Sequence, residues 1–244
     1  MKKYKLFAMG LAMAGALSFT SCADDYLDTA PTDAVSNVTI GQNMESLYLG
    51  LNGIHRQMIS QESGYQCMGG LGGMMYIMDI MADDITWLTN TWMKAAYLGW
   101  QCNTNDQNGY NTVFWRLYYQ WIMNANGLLE VLDGTDVSAL SGGDKALYEQ
   151  IRGEALVFRA FSHFQAVQTY ADAYKAGGNN SQPGVPYRTV ENKVDQELAR
   201  STVEETYAKI NADLAEACSL LEGKNITELN HWSGKSAYAI RARV

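Results

Sequence analysis

Few basic residues, few cysteines and no membrane-length apolar run limit what this chain of 244 residues can be. Its 18 lysines and arginines face 26 acidic residues. The first 21 residues hold three of the basic residues and none of the acidic ones. The remainder therefore stands at 15 against 26, a formal net charge of −11. Such a surface repels phosphate backbones and anionic headgroups, which argues against nucleic-acid binding and against docking on lipid through a basic face. The four cysteines form no CxxC pair, and His55, His163 and His231 are far apart, so each histidine reads as a packing or surface residue. No Ser/His/Asp set, zinc motif or phosphate-binding glycine loop is visible, so nothing calls for catalysis, a metal or a cofactor. Asp83 and Asp84 are the one carboxylate pair that suggests acid/base hydrolysis. Neighbours on a helix point about 100° apart, so one is expected to cap a segment and the other to meet a partner.

What is present begins with the layout of an export signal. Lys2, Lys3 and Lys5 precede an apolar stretch of 12 residues, Leu6 to Leu17, and the sequence Phe19-Thr20-Ser21-Cys22 follows. A transmembrane helix needs about 20 apolar residues, so this segment is read as a signal rather than an anchor. A cysteine after a small residue resembles the bacterial lipobox, with Phe19 where leucine is usual. Residues 1–21 are thus expected to be removed and Cys22 lipidated. Plain secretion with a structural Cys22 is the alternative. Acyl chains contribute about 0.8 kcal/mol per buried methylene, enough for lasting attachment. Lipidation leaves Cys67, Cys102 and Cys218, an odd number that implies no closed disulfide framework, although a Cys67–Cys102 bridge stays open.

Residues 22–42 are polar and read as a tether; residues 43–244 read as a helical domain. Leu47, Leu51, Ile54 and Met58 recur at helical steps from Asn43 on. Residues 60–73 read as a loop, followed by a short apolar segment from Met74 to Met81. After an irregular stretch, Val113, Leu117, Trp121, Leu128 and Leu132 mark a helix that Gly134 ends. Asp144 is expected to cap a long helix with Leu147, Ile151, Ala155, Phe158, Phe161 and Val167 along one stripe, up to about Tyr174. Gly177 to Pro186 reads as a surface loop. Ser201 to Glu204 reads as a capping box opening a helix through Leu221, and a last helix starts near Trp232 or Ser233. The fold class is all-α, with 111–133 pairing with 144–174 and 202–222 with 233–244, as in bundles or tetratricopeptide-type solenoids. The chain ends within an apolar helical pattern (Ala237, Ile240, Val244), so a continuation beyond Val244 is expected.

Several stretches together resemble the SusD/RagB family of outer-membrane nutrient-binding lipoproteins of Bacteroidetes. They are Cys22 to Pro31, Phe114 to Tyr118 with Asn124-Ala125-Asn126, Arg152 to Phe161, Gly184 to Tyr187, Arg200 to Tyr207 and Ala237 to Val244. Asp24 and Asp25 after the lipidated cysteine resemble the surface-export signal of that phylum. Elsewhere, aspartate in this position retains a lipoprotein in the inner membrane. The resemblance implies a tetratricopeptide-like scaffold on the outer face of the outer membrane, lying over a TonB-dependent transporter. It implies an oligosaccharide, or more rarely a peptide, as ligand, and no catalysis.

Sugar rings stack on flat aromatic faces, and their hydroxyls take polar side chains at the rim. Residues 87–110 hold that mixture, so Trp87, Asn90, Trp92, Tyr97 and Trp100 are the expected glycan-binding residues, with Trp92 and Trp100 foremost. Trp115 and Trp121 are more readily explained as helix core. Arg152, Glu154 and Arg159 share one helix without the three- or four-residue spacing of local pairs, so pairing with neighbouring helices is expected. Two other functions stay open: a helical-repeat scaffold for envelope assembly, and a lipid-anchored glycoside hydrolase working through Asp83 or Asp84.

Overall fold

The structure is a computed structural model that describes residues 43–61, 69–82, 109–193 and 195–244. The regular elements among them are helices, and β-pairing is confined to two isolated bridges, Gln61 with Gly69 and Pro183 with Thr202.

Helix α1 spans Met44–Gln57. Asn43 caps it by accepting the Ser46 N–H at 2.8 Å, and Leu47, Leu51 and Ile54 are buried along one face. Gly50 and Gly53 lower its intrinsic stability, so this helix depends on packing. Helix α2, Gly70–Met81, starts earlier than expected: Gly70 to Gly73 are helical rather than loop. The reason is tertiary. The Leu71 N–H donates to the Met58 carbonyl at 2.8 Å, and Gly70 turns over the end of α1 with φ +54. A Cβ at Gly70 would lie 2.0 Å from the Met58 oxygen, so only glycine fits this crossing.

Helix α3, Gly109–Asp133, leads through a 3-10 turn at Val137–Ala139 into helix α4, Gly142–Tyr170. The N-cap of α4 is Ser141, whose hydroxyl accepts the Asp144 N–H at 3.2 Å; the expected cap, Asp144, sits three residues inside. The helix stops at Tyr170 rather than Tyr174. There the Arg200 guanidinium donates to the Tyr170 carbonyl at 2.8 Å and Ala171 turns extended. Helix α5, Val203–Leu221, opens with a capping box one residue later than read: Thr202 and Glu205 satisfy each other's amides, not Ser201 and Glu204. Gly223, at φ +70, follows its end. Helix α6, Gly234–Arg243, is capped by Ser233.

Side-chain links give the directions. Arg152 on α4 meets Asp133 on α3, and Arg159 meets Asn126, so α3 and α4 run antiparallel. Arg152 also meets Glu216 and Arg159 meets Asp213, so α5 is antiparallel to α4 as well. The expected pairings of α3 with α4 and of α5 with α6 are therefore present. Helix α4 is central: every residue from Gly153 to Phe158 is buried. It runs through two apolar clusters. One joins α1, the C-terminal half of α3, the middle of α4, the end of α5 and Ala237 of α6. The other joins α2, the start of α3, the end of α4, and Val185 and Tyr187 from the α4–α5 connection. The expected surface loop 177–186 is thus anchored, with Asn180, Gly184 and Val185 buried.

Candidate functional site

The expected glycan-binding residues Trp87, Asn90, Trp92, Tyr97 and Trp100 lie outside the described residues. So do the expected lipidation site Cys22, Cys67, Cys102, and the pair Asp83 and Asp84. Cys218 is buried and free.

Among the described residues, the polar chemistry gathers at two buried hubs on α4. The first is Glu154, which is wholly buried on the side of α4 that meets α1. His55, in the last turn of α1, places Nε2 2.7 Å from Oε2. His231, in the α5–α6 connection, places Nδ1 3.0 Å from both carboxylate oxygens. The Gln150 amide donates to Oε1 at 2.9 Å and the Trp232 backbone N–H to Oε2 at 3.0 Å. Burial alone would raise the Glu154 carboxyl; hydrogen bonds from His231, His55 and Gln150 outweigh it and hold the group below its usual range. Burial likewise pushes His231 down, but the hydrogen bond and charge of Glu154, with the charge of Glu228, raise it. The Tyr48 ring stacks on His231 at 5.3 Å, and the rings of His55 and His231 are 4.3 Å apart. The ligating atoms of His55, Glu154 and His231 all lie within 4.8 Å of one another, a set that can hold a metal ion.

The second hub is Arg159. Its guanidinium donates to both oxygens of Asp213 at 2.7 Å and to Asn126 at 3.1 Å, while the Tyr187 hydroxyl donates to Asp213 at 2.6 Å. His163 lies beneath, with Nδ1 2.8 Å from the Arg159 carbonyl and Nε2 accepting the Arg188 N–H at 3.1 Å. Tyr187 stacks on its ring at 3.8 Å. This hub closes its own charges and binds α3, α4, α5 and the 171–202 connection together. Arg152, Glu154 and Arg159 all pair with neighbouring elements, as their spacing predicts.

An aromatic face lies at the start of α3. Trp121 is fully buried, but Trp115 is 37% exposed, so the core role expected for Trp115 does not hold. Its position on α3 faces outward beside Tyr119, whose ring stacks on it at 4.4 Å, with Tyr170 edge-on at 5.0 Å. The sequence reading missed this face and the convergence of His55 and His231. The first could be found from Trp115 and Tyr119 standing one turn apart, off the Leu117–Trp121 stripe. The second has no local signal, because Glu154 is 99 residues from His55 and 77 from His231.

No helix among the described residues is long and apolar enough to cross a membrane. No curated protein matches the chain in sequence. Its fold is similar to solved structures from three Bacteroides species. A SusD-like carbohydrate binding protein from Bacteroides vulgatus aligns with a TM-score of 0.68 and 21% identity over 82% of this chain and 40% of that one. A SusD superfamily protein from Bacteroides fragilis gives 0.64 and 22% over 83% and 45%. One from Bacteroides thetaiotaomicron gives 0.60 and 21% over 82% and 42%. The chain spans less than half the length of each. These likenesses establish the helical fold. The sequence itself matches the family model SusD-like_3, described as starch-binding associating with outer membrane, over residues 25–244, and the chain belongs to that family.

Proposed function

We propose that this chain belongs to a cell-surface lipoprotein that binds oligosaccharide nutrients and delivers them to a partner TonB-dependent outer-membrane transporter. The observation that carries this reading is the family match from residue 25 to residue 244. Two features of the sequence support it. Cys22 follows an export signal and precedes Asp24 and Asp25, the order expected of a lipid anchor directed to the outer surface. Trp87, Asn90, Trp92, Tyr97 and Trp100 supply aromatic faces and amide groups suited to sugar rings, and the exposed Trp115, backed by the part-buried Tyr119, offers a further flat apolar surface. The protein acts by binding rather than by catalysis.

Isothermal titration and affinity electrophoresis of the full-length protein against a polysaccharide panel test the reading. One glycan class is expected to bind, and Trp92→Ala with Trp100→Ala is expected to weaken it at least tenfold. Binding of peptides with no response to any glycan would overturn the carbohydrate assignment. Co-purification with a TonB-dependent transporter tests the partner.

A further inference from the structure

The buried Glu154 hub poses a charge problem. An ionised carboxylate without solvent costs several kcal/mol unless positive charge stands beside it. Gln150 and the Trp232 amide donate hydrogen bonds but carry no charge, and the ion-pair partners of Glu154 among the described residues are the two histidines. Among the described residues, positive charge at this place comes from protons on the imidazoles or from a cation held between them. The second hub is different: the Arg159 guanidinium supplies a permanent charge to Asp213 and leaves no lone pair for a metal.

Three features favour a cation. First, the donor set is chemically selective: two imidazole nitrogens and one carboxylate suit zinc and its neighbours, whereas magnesium and calcium prefer oxygen alone. Second, the supporting contacts already exist. Gln150 and the Trp232 amide fix the carboxylate, and the Tyr48 hydroxyl stands 3.5 Å from the far nitrogen of His231 while its ring stacks on the imidazole. Third, the spacing is close to a coordination shell. Zinc bonds of about 2.0–2.1 Å in a tetrahedron separate neighbouring ligand atoms by about 3.3 Å. The present separations of His55 and His231 from Glu154, 2.7 Å and 3.0 Å, open by about 0.6 Å and about 0.3 Å to reach that shell, and all three ligand atoms already lie within 4.8 Å of one another.

We propose that His55 Nε2, His231 Nδ1 and the Glu154 carboxylate form a binding site for one divalent transition-metal ion of the zinc class. The ion joins the end of α1 and the α5–α6 connection to the middle of α4, so it is structural. The three ligating residues are buried, and occupation of the site is measured without sugar.

The test uses the full chain, freed of metal with a chelator and dialysed. Equilibrium dialysis is expected to find one zinc ion per chain, with no competition from excess magnesium or calcium. Cobalt(II) is expected to give the intense visible band of a four-coordinate nitrogen–oxygen site. Zinc is expected to raise the melting temperature by several degrees. His55→Gln and His231→Gln should each abolish the cobalt band and the thermal shift while retaining the helical circular dichroism. If either variant fails to fold, X-ray absorption of the zinc-loaded parent decides, with two imidazoles and one carboxylate expected in its shell. Absence of stoichiometric binding, a six-coordinate aquo-like cobalt spectrum, or binding that survives both substitutions would overturn the proposal. In the first of these cases the hub is a hydrogen-bonded clasp without metal.

Discussion

His163 shows how a single buried group can set the response of this molecule to acid. Its Nε2 accepts the Arg188 N–H, so the ring holds its proton on Nδ1, facing the Arg159 carbonyl. Burial, followed by the charges of Arg159 and Lys209, brings its pKa down to about 3, and the hydrogen bond to the Arg159 carbonyl only partly offsets this. In the unfolded chain the same residue titrates near 6.5. Below that pH the unfolded state takes up a proton that the folded state refuses, so stability falls as pH drops from 6.5 toward 3. The slope from this residue is about 1.4 kcal/mol per pH unit. Urea unfolding at several pH values between about 6 and about 4.5 should therefore show a shallower loss for His163→Gln than for the parent, even though the variant is less stable at neutral pH. Equal slopes would remove His163 from the account.

Two tests belong to the helices. The start of α5 separates a local pattern from the cap that forms. Both Ser201-Thr-Val-Glu204 and Thr202-Val-Glu-Glu205 fit the capping pattern, and the structure uses the second. It does so because the Ser201 backbone is engaged elsewhere: its N–H donates to the Val185 carbonyl at 3.2 Å and its carbonyl accepts the Gly184 N–H at 2.7 Å. Thr202→Ala is expected to cost about 1 kcal/mol in chemical denaturation. Ser201→Ala should stay within about 0.5 kcal/mol of the parent, as for a surface change. The reverse order would mean that the cap lies at Ser201. The second test concerns the contact of α4 with α5. Gly153 lies inside α4, where alanine would improve helix propensity by about 1 kcal/mol. Its added methyl would stand 2.7 Å from Leu221 Cγ and 3.3 Å from Leu220 Cβ, and overpacking of that kind costs about 1–3 kcal/mol. Gly153→Ala is therefore expected to lower stability in urea titration, and a more stable variant would show that the two helices separate easily.

Across the whole molecule, the helices and their pairing were legible because burial of one face leaves a local trace. The stripe Ile151, Ala155 and Phe158 and the stripe Ile210, Leu214, Ala217 and Leu221 can be read from spacing alone, and each is buried. Element ends were less legible, because other parts of the chain settle them. Met58 receives the start of α2, Arg200 takes the last carbonyl of α4, and Gly184 with Val185 occupies the backbone of Ser201. The expected glycan residues lie outside the described part, so the sequence alone supports them. By itself the sequence determined the helical class, the antiparallel pairing of α3 with α4, and the resemblance that the family match then established; the export signal with Cys22 rests on the sequence alone. Periodicity, short connections and motif order are local properties, which is why they can be read along the chain. Only the tertiary structure decided that His55 and His231 meet on Glu154. The packing of α1 and of the α5–α6 connection on α4 sets that meeting across 99 and 77 residues, and no local spacing encodes it.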